Sequence, residues 1–147
     1  MKPMQHLIFS GILGLGFLIF IRPFWAALIA FSSGIFIDLD HLIDFWALKP
    51  AKPFNVKDFL HSEKYNCQKK WLFVFLHNWE SIIGLWLWAY FGHWSTIVTA
   101  LAAGLTLHLI MDIANLRSYK MHPFAYFLIF RLIKGFKKDE ICYENNC

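Results

Sequence analysis

Leu7 to Ile21 is an unbroken run of apolar residues and glycine, and three comparable apolar stretches follow it. This pattern constrains the fold most, because a helix of about 20 apolar residues is what crosses the hydrocarbon of a bilayer. The 147-residue chain is 58% hydrophobic and only 16% charged, against about 45–50% apolar and about 25% charged in a typical soluble domain. A chain of this length has too little interior to bury that excess, so much of it has to meet lipid.

Punctuation divides the chain. Arg22-Pro23 interrupts the first run, and proline suits the first turn of a new helix, so the first two spans form a tight hairpin. The expected architecture is all-α: a polytopic transmembrane helical bundle with spans at about 5–21, 24–44, 71–91 and 94–112. A polar loop over 49–70 holds Pro50 and Pro53, and Gly92-His93 turns between the third and fourth spans. The stretch 123–136 is apolar but broken by Arg131 and Lys134. Its uncharged part is too short to cross comfortably, so it is expected as an interfacial or docked helix. The N-terminal run is read as a retained helix, because no small-residue cleavage site closes it.

The lysines set the orientation. Lys49, Lys52, Lys57, Lys64, Lys69 and Lys70 crowd the polar loop, and Lys134, Lys137 and Lys138 crowd the C-terminal region. The turns on the other side carry only Arg22 and His93 as ionisable groups. The positive-inside rule places the lysine-rich side, with both termini, in the cytoplasm. It also accounts for the net charge of +4 without nucleic acid as a partner, for which no motif is present. Cys67, Cys142 and Cys147 form no CxxC pair and read as reduced thiols.

On this topology the polar residues of the spans converge. His6 opens the first span; Asp38, Asp40, His41 and Asp44 close the second; His77 and Glu80 lie in the first half of the third; His108 and Asp112 end the fourth. The helices alternate in direction, yet every set falls at the cytoplasmic end. His108 and Asp112 are four apart and share a helix face, as do His77 and Glu80 at three. Ionised carboxylates at membrane depth cost several kcal/mol each, and no lysine or arginine accompanies them within those stretches. One or two divalent cations would neutralise them. Imidazole with carboxylate suits Zn²⁺, Mn²⁺ or Fe²⁺ better than Mg²⁺ or Ca²⁺, and helical bundles build di-metal sites from such faces. Of these polar residues, His41, His77, His108 and Asp112 together read as site residues, and Glu80 or Asp44 is expected as general base. His61 and Glu63 either cap the site or face water, His93 and His122 read as turn and packing residues, and Asp44 is alternatively a solvated interfacial charge. The tryptophans read as interface anchors.

His6-Leu7-x-x-Ser10, Asp38-Leu39-Asp40-His41 and His108-x-x-x-Asp112 together resemble the LexA-regulated inner-membrane metal-dependent hydrolases, over roughly the first 115 residues. That family also has an HR…TH segment, which this chain lacks; His77-Asn78-Trp79-Glu80 stands where its last histidine would be. The resemblance implies a bacterial inner-membrane protein with a metal-dependent hydrolytic site. Its ligands, carried over by position, would be His6, Asp38, Asp40, His41, His77, His108 and Asp112; Glu80 is not part of the family pattern. The donor set is also similar in kind to that of zinc-dependent phospholipase C. The expected substrate is a phosphoester of a membrane lipid or another amphiphilic anion, steered by Lys64, Lys69, Lys70 and Arg117. The alternatives are an ion or proton transporter, or a metal-stapled membrane protein without catalysis. The far halves of the helices offer little beyond Ser95, Thr96 and Thr99, which favours a site over a path.

Overall fold

The computed structural model describes residues 3–41, 70–72, 74–114 and 121–142. Among these residues the structure is helical and contains no strand, so the all-α expectation holds. Helix α1 spans Pro3–Phe20 and α2 spans Phe24–Phe36. Arg22 turns the chain between them at φ 73°, and Pro23, extended at φ −62° and ψ 120°, leads into α2. The end of α2 tightens into a 3-10 turn over Ile37–Leu39, and Asp40 and His41 continue it. Helix α3 spans Trp79–Phe91 and α4 spans Thr96–Ala114. The turn between them places His93 and Trp94 at φ 53° and 58°.

Helices α2 and α4 pack on each other, α1 packs on α2 and α4, and α3 packs on α4. The α2–α4 approach is backbone to backbone. A Cβ on Gly104 would run into Ser33 Oγ and the carbonyl of Ala30, and one on Gly34 would run into Ser10 Oγ. Small residues at fourfold spacing permit this close approach of the two backbones. Phe17, Ala26, Ala27, Ala30 and Ala100 fill the core at the end away from the carboxylates, and Ile82, Leu109 and Tyr126 form a second cluster. The outer surface is apolar: Ile8, Ile12, Leu15 and Ile19 of α1, Leu28 of α2, Leu87 and Trp88 of α3, and Ile97 and Ile110 of α4 are all exposed. Among the described residues only α4 is by itself both long and apolar enough to cross a membrane, while α1 and α2 with its 3-10 turn are shorter apolar helices.

Two sequence expectations need correction. The apolar run at 71–91 predicts a helix from Trp71, but α3 begins at Trp79. Asn78, extended at φ −145°, caps it by accepting the Ser81 N–H at 2.6 Å. The peptide groups before it are satisfied by distant partners instead of a helical ladder: Leu72 N–H donates to Phe136 O at 2.9 Å and Leu76 N–H to Asp40 Oδ2 at 2.9 Å. Hydropathy reports that these residues are apolar and cannot report where their amides bond. The expected helix over 123–136 is likewise in pieces. A 3-10 turn covers Pro123–Tyr126, Phe127 is extended, α5 spans Leu128–Ile133, and a turn with Gly135 and Phe136 at φ 58° and 57° leads to α6, Lys138–Ile141. The loop 49–70 lies outside the described residues except for Lys70.

Candidate metal centre

Each element delivers its polar residues to one end of the bundle. Helix α1 brings His6, the end of α2 brings Asp38, Asp40 and His41, the non-helical segment before α3 brings His77, and α4 brings His108 and Asp112. His6, Asp40, His77, His108 and Asp112 are buried. Asp38 and His41 form the open rim, with 34% and 39% of their side chains exposed.

Two imidazole nitrogens define the centre. His77 Nε2 and His108 Nε2 lie 3.2 Å apart. Both face the same two carboxylates, Asp38 Oδ1 at 3.4 and 3.3 Å and Asp112 Oδ2 at 3.6 and 3.2 Å. The opposite ring nitrogens are engaged. His108 Nδ1 lies 2.7 Å from the carbonyl oxygen of Gly34, and His77 Nδ1 lies 3.1 Å from Asp40 Oδ2. A carbonyl and a carboxylate only accept, so each Nδ1 carries a proton, and in the neutral ring each Nε2 then presents a lone pair. This is the outer arrangement that orients metal-binding histidines.

His6 stacks on His108 with ring centroids 4.0 Å apart, and its Nε2 lies 3.3 Å from Asp112 Oδ1. Its buried Nδ1 has no hydrogen-bond partner among the described residues. Asp112 therefore divides its oxygens, one toward His6 and one toward His77 and His108. His41 Nε2 lies 3.8 Å from Asp38 Oδ1 at the rim.

The donor set and its dimensions fit a metal ion. Around a tetrahedral ion with nitrogen and oxygen ligands at about 2.0–2.1 Å, neighbouring donors lie about 3.3–3.4 Å apart. With both rings neutral and their Nδ1 protons directed at Gly34 and Asp40, the Nε2 lone pairs and carboxylate oxygens converge on one point, the arrangement that a cation takes. The buried cluster can thus hold a metal ion, with three overlapping donor groups: His6, Asp38 and His108; Asp38, His41 and His77; and His77, His108 and Asp112.

All seven expected ligands reach this end of the bundle, with Asp40 behind His77 as its partner. Glu80, the expected base, does not join them. Its two oxygens accept the Leu128 and Ile129 N–H groups at 2.9 and 3.0 Å, so the carboxylate caps the start of α5. Helix N-termini favour such a group for their unpaired amides and their dipole. Asp44, His61 and Glu63 lie outside the described residues. His122 caps the 3-10 turn by accepting the Phe124 N–H at 3.1 Å, and His93 is exposed in its turn. Burial pushes the Cys142 thiol above its usual range, away from a reactive thiolate.

Sequence reasoning missed Arg131, which is fully buried and donates to the carbonyls of Val74 and His77. The available signal was a lone arginine inside an apolar stretch, which marks a buried partner. No family model, curated protein or solved structure matches the chain.

Proposed function

We propose that the chain is a membrane-embedded metal-dependent hydrolase, a divergent relative of the LexA-regulated inner-membrane family. It forms a four-span bundle in a bacterial inner membrane, with its site at the cytoplasmic edge. One observation carries the reading: the two Nε2 atoms lie 3.2 Å apart, each ring has its Nδ1 against an acceptor, and both Nε2 atoms lie within 3.6 Å of Asp38 Oδ1 and Asp112 Oδ2. The apolar outer surface supports the bilayer setting, and the motif residues that resemble the family are among those that gather at this end.

His77, His108, Asp38 and Asp112 would hold the ion, with Zn²⁺ favoured by the mixed imidazole and carboxylate set. Asp112, shared with His6, is placed to serve a second ion. A bound metal supplies Lewis-acid polarisation of a phosphoryl oxygen and acidifies water. Asp40 and the Gly34 carbonyl keep the two histidines in the ligating tautomer. His41, at the open rim beside Asp38, is placed to take the proton of the attacking water, a role that Glu80 is not placed to fill. A lipid phosphoester suits a site at headgroup depth. A transport path would need polar groups at the other end, where Phe17, Ala26, Ala30 and Ala100 pack closely.

The test is metal analysis of the purified protein, followed by a phosphatase and phosphodiesterase screen on lipids. Near-stoichiometric transition metal is expected, lost in a His108→Ala, Asp112→Ala double variant. Equal metal content in the two proteins would overturn the reading. A C-terminal reporter should give a cytoplasmic signal.

A further inference from the structure

We infer that Arg131 is a positioning residue of the metal centre, acting on it through the main chain of His77; this rests on reading the cluster as a metal site. His77 is unusual among the expected ligands. His6 and His108 lie within helices, whereas His77 sits in the non-helical segment that precedes α3. No helical ladder fixes its ring; locally, Asn78 bends the chain, its N–H donating to Leu76 O at 3.0 Å and its side-chain amide to Phe75 O.

Distant groups hold that segment. Asp40 Oδ2 takes both the Leu76 N–H and the His77 ring Nδ1. Leu72 N–H donates to Phe136 O at 2.9 Å, Lys138 N–H donates to Lys70 O at 3.1 Å, and Trp71 pairs with Lys137. Between these, Arg131 Nη1 donates to Val74 O and Nη2 donates to His77 O at 2.8 Å. One planar guanidinium thus spans two carbonyls three residues apart, a geometry that the single ammonium of lysine does not reproduce.

Helix α5 presents its charge in the opposite sense to a surface helix. Ile129, Leu132 and Ile133 are exposed while Arg131 is fully buried. Burying a guanidinium in an apolar setting is costly without partners, and its contacts with the segment bearing His77 offset that cost. Glu80 acts separately, on the start of α5, where it accepts the Leu128 and Ile129 N–H groups and makes no hydrogen bond to the segment bearing His77 among the described residues. Main-chain placement of His77 then sets the distance from its Nε2 to His108 Nε2, which a bound ion reads directly.

The test uses the full chain in detergent with Co²⁺ as the probe. Wild type should bind Co²⁺ with the ligand-field bands of a four-coordinate nitrogen and oxygen site. Arg131→Met and Arg131→Lys should bind it about 10–100-fold more weakly, the usual consequence of losing a partner behind a ligand, and with shifted bands. Glu80→Gln, which loosens α5 and leaves the guanidinium in place, should keep wild-type affinity and bands. Arg131→Lys keeps the buried charge and decides the matter if Arg131→Met fails to fold. Wild-type affinity and bands in Arg131→Lys would overturn the inference, as would an equal loss in Glu80→Gln, which would mean general loosening. Absence of Co²⁺ binding by wild type would instead overturn the metal reading, and this inference with it.

Discussion

The two ends of the helical bundle are built on opposite principles. At one end Phe17, Ala26, Ala27, Ala30 and Ala100 bring apolar side chains and small residues into contact, and each contact is favourable as it stands. At the other end His6, Asp40, His77, His108 and Asp112 are buried together, a set of imidazoles and carboxylates that can hold a metal ion. The packed end completes itself; the polar end can take a ligand. That contrast within one set of helices separates residues that make the bundle from residues that use it.

Chelation should break the contrast most strongly. Removing metal withdraws stabilisation of about 4 kcal/mol for an ion present at about a thousand times its dissociation constant. A large drop in Tm is expected for wild type and none for the His108→Ala, Asp112→Ala variant. An equal response of the two to chelator would show that the polar end does not depend on an ion.

Gly104→Val attacks the packed side. The new side chain meets Ser33 and the Ala30 carbonyl, and overpacking of this kind costs about 1–3 kcal/mol. Thermal unfolding should show the loss with and without metal alike, whereas a site variant should matter only when metal is present. If chelator abolished the Gly104→Val effect, the two ends would not be separable.

The smallest effect is expected from Glu80→Gln, which weakens a cap worth about 1 kcal/mol. Metal content should stay at the wild-type level, with a slight fall in Tm. Were Glu80 the general base, turnover on any substrate found would fall by about 10²–10⁴-fold; as a cap of α5 it should change turnover far less.

Much of this arrangement is legible in the residues. The apolar runs mark α1, α2 and α4, and the alternation of helix direction is enough to place His6, Asp38, Asp40, His41, His108 and Asp112 at one end. The fourfold spacing of His108 and Asp112 fixes their shared face, because helical periodicity is local. The misreadings share a cause. Glu80 stands three residues from His77, as a helical neighbour would, but the helix starts between them and the carboxylate turns to Leu128 and Ile129.

The sequence by itself determined which residues are apolar, which are polar at the helix ends, and therefore that histidines and carboxylates meet. Hydrophobicity and periodicity are properties of neighbours along the chain, so they can be read there. The tertiary structure alone decided that the segment before Trp79 leaves the helix, that Asp40 and Gly34 set the histidine tautomers, and that Arg131 is buried against the main chain of His77. Those outcomes depend on hydrogen bonds between residues 37, 74 and 54 positions apart, and the choice of partner at such range is made by how the helices pack.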